Sequence, residues 1–170
     1  RDKTSIYDSG IRTPWFIRWP KQIKPGTVTK NLVSSLDIAT TFLALGGVEN
    51  PGSTFQGKNF LPMLKDPAAK IRKHVFAEQN WHDYEAHARA VRDERFKFIR
   101  NSYPDLNLTP SADGVRSDTF QAMIKLHKTG KLTKAQQVYF VKPRPTEELY
   151  DCIADPHEIN NLAADPEHAD

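Results

Sequence analysis

The sequence has one cysteine in 170 residues. That excludes an intrachain disulfide framework and any cysteine-rich zinc site. No apolar run approaches the roughly 20 residues that a membrane-spanning helix needs. Arg1-Asp2-Lys3 is followed by no apolar stretch of the kind a secretory leader carries, and there is no initiator methionine, which fits a fragment or a processed product. Repeats and low-complexity tracts are missing. Charge of one sign is scarce too: 24 Lys and Arg against 21 Asp and Glu leave +3, interleaved along the chain. Without a basic patch, nucleic acid and membrane surfaces are not expected partners. What remains is an ordinary soluble composition, 38% hydrophobic and 26% charged, with 12 prolines fixing turns.

Local pattern divides the chain into segments. Trp15 to Trp19, bounded by Pro14 and Pro20, reads as a short, mostly buried strand. Lys24-Pro25-Gly26 is a turn. Leu32, Leu36, Ala39 and Leu43 fall on one helical face, Ser34 and Asp37 are spaced as a capping box, and Gly46-Gly47 stops the helix. Gly57 to Leu64 gives a loop and a helical turn, broken at Asp66-Pro67. A domain boundary falls there, with 1–66 and 67–170 as the two parts. Beyond it, His74–Glu78 has strand composition, and Ala88–Arg92 and Arg95–Arg100 alternate in period two around Asp93-Glu94 as a hairpin. Residues 101–116 read as a surface loop. Ser117 caps a helix to about Lys128, with Phe120, Ile124 and His127 along one side. Thr133 caps a short helix ending near Phe140, Glu147–Asp151 is a last strand, and Asp155-Pro156-His157-Glu158 starts a turn or helix, best taken as a helix start rather than a ligand set.

Several motifs occur in a telling order. Lys3, then Tyr7-Asp8, then Gly10-x-Arg12-x-Pro14 resembles the active-site lysine segment of type I sulfatases. Phe16 to Pro20 is similar to the family's strand ending in Trp-Pro. Ser35 to Thr41 resembles its next helix, with Thr40 where most members have proline. Gly57 to Pro62 resembles its Gly-x-Ser-Leu-x-Pro turn. Glu148-Leu149-Tyr150-Asp151 followed by Asp155-Pro156-His157-Glu158 and Asn160-Asn161-Leu162 resembles its ending. Each motif is weak alone; their order over nearly the whole chain is the signal. The resemblance is to the sulfamidase-like branch of the alkaline-phosphatase-like superfamily. It implies an α/β fold, α+β in its C-terminal part. Residues 1–66 become the tail of the catalytic α/β domain, and 67–170 a small antiparallel-sheet subdomain with packed helices.

By that resemblance Lys3 is the catalytic residue, contacting the sulfate group and assisting the leaving oxygen. A fixed ammonium suits the charge on a sulfuryl group's equatorial oxygens. The plainer alternative is a solvated lysine near a chain end. Arg12 is expected to pair with a carboxylate below the site, and Tyr7 and Asp8 to pack and hydrogen-bond. Asn80 to His87 is dense in polar and aromatic groups at a strand end. There His82 is expected to face a sugar hydroxyl or a sulfamate nitrogen, Trp81 to stack on a sugar ring, and Asp83 to join them. The plainer alternative is a capped strand end with a solvated His82 and a buried Trp81. His82, His87, Asp83 and Glu85 have permissive metal spacing but form no closed ligand set, so no metal is expected in this chain. Cys152 is expected to be a semi-buried packing residue.

The family's nucleophile is a formylglycine made from Cys or Ser in Cys/Ser-x-Pro-x-Arg; Cys152 is followed by Ile153-Ala154-Asp155 and does not match. Calcium and formylglycine are therefore expected in the intact enzyme but not in this chain, which alone should be inactive. The resemblance implies hydrolysis of a sulfate ester or sulfamate, on a sugar or an aryl sulfate, in the periplasm or outside the cell. Two alternatives stand beside it: a related phosphoester or phosphonate hydrolase, and a stand-alone glycan-binding module. Isolated, the segment before Asp66 would expose Trp15, Phe16, Leu36 and Phe42, and self-association follows.

Overall fold

A computed structural model describes residues 3–168. By packing, the chain forms two units, one of Pro14–Val75 and one joining the segment through Thr13 to everything from Phe76 onward. The opening segment, helix α1 (Asp8–Ile11) included, thus packs with the C-terminal sheet. These packing units divide the chain at other points than the expected domain boundary at 66/67.

In the Pro14–Val75 unit the predicted helix is α2, Leu36–Leu45. Gly47 at φ +86° supplies the left-handed stop, and Val48 N–H reaches back to the Leu43 carbonyl. The buried face of α2 is polar, contrary to the predicted Leu32/Leu36/Ala39/Leu43 stripe. Asp37, Thr40 and Thr41 are buried, whereas Leu36 and Phe42 are exposed. Asp37 accounts for this inversion. Its carboxylate accepts from the N–H groups of Ser34 and Lys58, each at 2.7 Å, and from the Arg72 guanidinium. Thr41 Oγ1 accepts from Phe60 N–H at 3.0 Å. Helix α3 (Leu61–Lys65) is the expected turn before Asp66-Pro67.

The predicted strand at Trp15–Trp19 does not form. The segment has no regular structure and Phe16 is 90% exposed. An apolar run becomes a strand only where a neighbour takes its backbone hydrogen bonds, and this one has no neighbour strand among the described residues.

The other unit is built on one four-stranded sheet in the order β1 (Val75–Trp81), β2 (Glu85–Arg92), β3 (Phe96–Asn101), β4 (Glu147–Asp151). The β2/β3 hairpin turns at Asp93, as its alternation predicted; Ala90 pairs with Ile99 and Arg92 with Lys97. Strand β4 runs antiparallel to β3, with Ile99 opposite Glu148 and Lys97 opposite Tyr150. Between these two neighbours the chain makes a helical excursion: α4 (Ala112–Arg116), α5 (Asp118–Lys128) and α6 (Lys134–Gln137). Ser117 caps α5, and Thr133 with Gln136 forms a complete capping box on α6. Phe140 stacks on His127 at 4.3 Å between ring centroids, so the predicted side of α5 does pack. Helix α4 lies inside the stretch read as loop. Asp155–Glu158 is a turn, not a helix start: Asp155 Oδ2 accepts from the N–H of Ile159 and of Asn160, and Glu158 has φ +54°.

One face of the sheet is buried, and the opening segment covers it. Ile6 and Tyr7 share a core with Ala88, Ala90, Ile99, Leu108, Tyr150 and Cys152. The Tyr7 and Tyr150 rings meet edge to face at 6.2 Å. Cys152 is buried rather than semi-buried, and burial raises its thiol pKa.

The candidate site around Lys3 and His82

Lys3 lies in a turn immediately before this core. The next residue, Thr4, has φ +71°, a left-handed conformation that is costly for a β-branched side chain. Gln79 Nε2 on β1 donates to the Thr4 carbonyl at 2.6 Å and helps hold it. The Lys3 ammonium reaches Asp113 Oδ2 at 2.9 Å. Both side chains are exposed, so the pair itself adds little stability.

His82 and Asp83 form the β1/β2 turn, closed by a 3.4 Å contact from His82 N–H to the Tyr84 carbonyl. Asp83 Oδ2 sits 3.2 Å from His82 Nδ1 and accepts from Ala112 N–H, the first residue of α4, at 2.5 Å. Its carboxyl is held below the usual carboxylate range, chiefly by that N–H and further by His82. Asp113 is likewise lowered, first by a hydrogen bond with Ser111 and then by Lys3. Helix α4 therefore joins the two motifs: Lys3 to Asp113, and Ala112 to Asp83 and His82.

A shallow polar cleft lies alongside, lined among others by Thr4, Gln79, His82, Asp83, Ser111 and Arg144. Trp81 stands at the end of β1, 69% exposed and outside the cleft lining. The buried-tryptophan alternative is thus excluded, and the ring is open to solvent. Sequence reading missed Asp113, Gln79 and Arg144. Asp113 sits in a five-residue helix too short for periodicity to reveal, and Arg144 between two prolines carries no motif.

Below the rim, Arg12 makes no carboxylate pair among the described residues. It is exposed, and the arginine on Asp8 is Arg92 from β2. Asp8 also meets Lys97 Nζ at 3.2 Å, and Lys97 meets Glu158 Oε1 at 2.9 Å with its side chain fully buried. Asp8, Cys152 and Glu158 place three ligand-type atoms close together. The Lys97 ammonium already bridges the two carboxylates, so the group does not suit a cation. The expected calcium has no fitting donor set among the described residues.

The family profile for the C-terminal region of N-sulphoglucosamine sulphohydrolase matches residues 1–109. The chain belongs to that family. This sulfatase C-terminal region is 40% identical over 170 residues to an ulvan-active sulfatase of Formosa agariphila, covering 99% of the chain and 28% of that protein. It is 29% identical to human N-sulphoglucosamine sulphohydrolase over 181 residues, covering 98% of the chain and 35% of that protein. The sulfatase region thus spans about a third or less of these relatives' length. Among solved structures, one in complex with its substrate D-glucosamine-2-N,6-O-disulfate matches with a TM-score of 0.60 at 26% identity, covering 89% of this chain and 24% of that one. A Bacteroides thetaiotaomicron glycosaminoglycan-metabolism protein matches with a TM-score of 0.62 at 22% identity over 98% of this chain and 28% of that one, a likeness of fold. The sheet-and-helix arrangement described above is that of the sulfatase C-terminal subdomain.

Proposed function

We propose that the intact protein hydrolyses a sulfate ester or sulfamate on a carbohydrate and that this region supplies one wall of its active site. Lys3 contacts the sulfate oxygens, and His82, Asp83 and Trp81 meet the sugar. The observation carrying this reading is the convergence at α4: Lys3 and the His82-Asp83 turn, far apart in sequence, hold adjacent residues, Asp113 and Ala112. The relatives' activities on sulfated sugars support the substrate class.

The Lys3–Asp113 pair is exposed and screened by solvent, so it holds the ammonium only weakly. An incoming sulfate can therefore take the ammonium from Asp113 at small cost. Once the site is closed and dry, the same charge acts with greater force on the developing transition state. Asp83 keeps His82 oriented through Nδ1, leaving Nε2 to face a sugar hydroxyl or a sulfamate nitrogen. In the intact protein formylglycine would supply the nucleophile and calcium a positive charge facing the anionic sulfate oxygens; this region would hold neither and alone would turn over no substrate. Action outside the cytoplasm, in the periplasm or medium, accords with a polymeric sugar substrate.

The test uses the full-length protein on a panel of sulfated saccharides, an aryl sulfate and a phosphate monoester. Sulfate release from a saccharide is expected, with Lys3→Ala lowering kcat by about 100-fold or more and His82→Ala lowering kcat/KM without unfolding. Phosphate release without sulfate release would make it a phosphoester hydrolase. Glycan binding with no turnover by the full-length protein would make the region a binding module.

A further inference from the structure

The segment that carries Lys3 is held by polar contacts from all four strands of the sheet and from the turn containing Glu158. Gln79 on β1 donates to the Thr4 carbonyl. Glu148 on β4 accepts the Tyr7 hydroxyl at 2.7 Å. Glu158 in the closing turn accepts the Asp8 N–H at 2.7 Å. Lys97 on β3 bridges Asp8 and Glu158 while Arg92 holds the other Asp8 oxygen. Lys97 is 0% exposed, on the buried face of β3 where Ile99 is its apolar neighbour. A lysine there is costly unless its charge is paired. A methionine would fill similar space without needing partners. Nothing about covering the sheet demands an ammonium; what it adds is a fixed direction for Asp8, five residues after Lys3. The strained Thr4 between them shows that the segment is held against its own backbone preference.

We propose that Lys97, with Glu158, is a positioning residue for the sulfate-contacting lysine: the Lys97–Asp8–Glu158 bridge fixes the 4–8 segment and thereby places the Lys3 ammonium. This rests on the reading of Lys3 given above. Neither Lys97 nor Glu158 touches substrate. A misplacement of about 1 Å at a reacting group can cost about 100-fold in rate, which sets the expected size of the effect.

The experiment is a double-mutant cycle in the full-length enzyme on the saccharide giving the fastest sulfate release. The variants are Lys97→Met, Glu158→Gln, Lys3→Ala, and each of the first two combined with the third. Glu158→Gln keeps the shape and the acceptor for Asp8 N–H, so it guards against a Lys97→Met that fails to fold. Hydrogen exchange over residues 3–11 is followed in the same proteins. Expected are a fall in kcat of about tenfold to 100-fold for each positioning variant with a smaller change in KM, little further loss when Lys3 is already alanine, and faster exchange over 3–11 with β2 and β3 amides unchanged. Losses that multiply fully in the Lys3→Ala background, or unaltered kcat and exchange in both variants, overturn the positioning role while leaving Lys3 catalytic. A Lys3→Ala enzyme with undiminished kcat overturns the reading of Lys3 itself, and the positioning role with it.

Discussion

Tyr7 and Glu148, 141 positions apart, meet through a 2.7 Å hydrogen bond inside the core. Glu148 is 2% exposed, and its carboxylate also takes the Tyr150 hydroxyl at 2.6 Å and the Asn101 amide at 2.6 Å. Arg144 donates to Asn101 Oδ1 at 3.1 Å and lies 3.7 Å from Glu148. A buried carboxylate is tolerated when its lone pairs are used. Tyr7→Phe keeps the ring against Tyr150 but removes one donor. The expected loss is about 1.5–3 kcal/mol, the range for a hydrogen bond to a charged group. Denaturant unfolding of the variant checks it, through a lower midpoint at constant slope.

Gly57 is set by space, not by φ. A Cβ there would overlap the Leu36 carbonyl oxygen and lie 2.7 Å from Thr40 Oγ1. Backbone atoms cannot rotate aside, so Gly57→Ala must displace the loop or the start of α2. That threatens the Lys58 N–H bond to Asp37. A loss of at least about 1–3 kcal/mol is expected, read as a lowered unfolding midpoint; a variant as stable as the parent would refute the close approach.

The pair Arg95–Asp151 predicts a pH dependence. Arg95 nitrogens lie 2.7 and 2.9 Å from Asp151 Oδ2, and the backbone N–H groups of Ile153 and Ala154 bond Oδ1. These contacts, the arginine first, hold the Asp151 carboxyl down to about 2. Its unfolded value is about 3.9. The folded state is therefore favoured above about pH 4, and this contribution disappears as pH falls toward 2. Arg95→Gln should lower the thermal midpoint at pH 6 and leave a much smaller difference near pH 2. Equal differences at both pH values would mean the pair is not the source.

Association is expected of this chain in isolation. Phe16, Val28, Leu36 and Phe42, all within Pro14–Val75, are largely exposed. So much open apolar surface in one small unit favours contact with another copy. Light scattering should give a mass above the monomer's that rises with concentration. Phe16→Ser together with Phe42→Ser should return it toward the monomer. A concentration-independent monomer for the unsubstituted chain contradicts this expectation.

Elements whose determinants are local were legible in the sequence. The β2/β3 hairpin follows from alternation around Asp93, α5 from Ser117 as cap, and α6 from Thr133 as cap. Trp15–Trp19 failed because strand formation needs a partner that the run itself cannot announce. The face of α2 failed because Asp37, which looked like a cap, is also the anchor for Lys58 and Arg72. At the candidate site the motifs Lys3 and His82-Asp83 were visible one at a time. Their connection through Ala112 and Asp113 was not, since a five-residue helix leaves no periodic trace. Alternation put Lys97 and Ile99 on one face, yet the period alone could not say that this face was the buried one. Its reason, Asp8 on one side and Glu158 on the other, is a fact of tertiary structure.

The seating of Asp8 by Glu158 also has a consequence in time. Their bond closes a span of 150 positions. A ribosome adding roughly 5–20 residues per second needs about 8–30 s to travel that far. Throughout that interval the stretch of chain bearing Lys3 is without its final seat, which is completed only once the turn containing Glu158 has been made. Premature termination anywhere between the lysine segment and Glu158 would leave every residue of that segment translated and the lysine without this support.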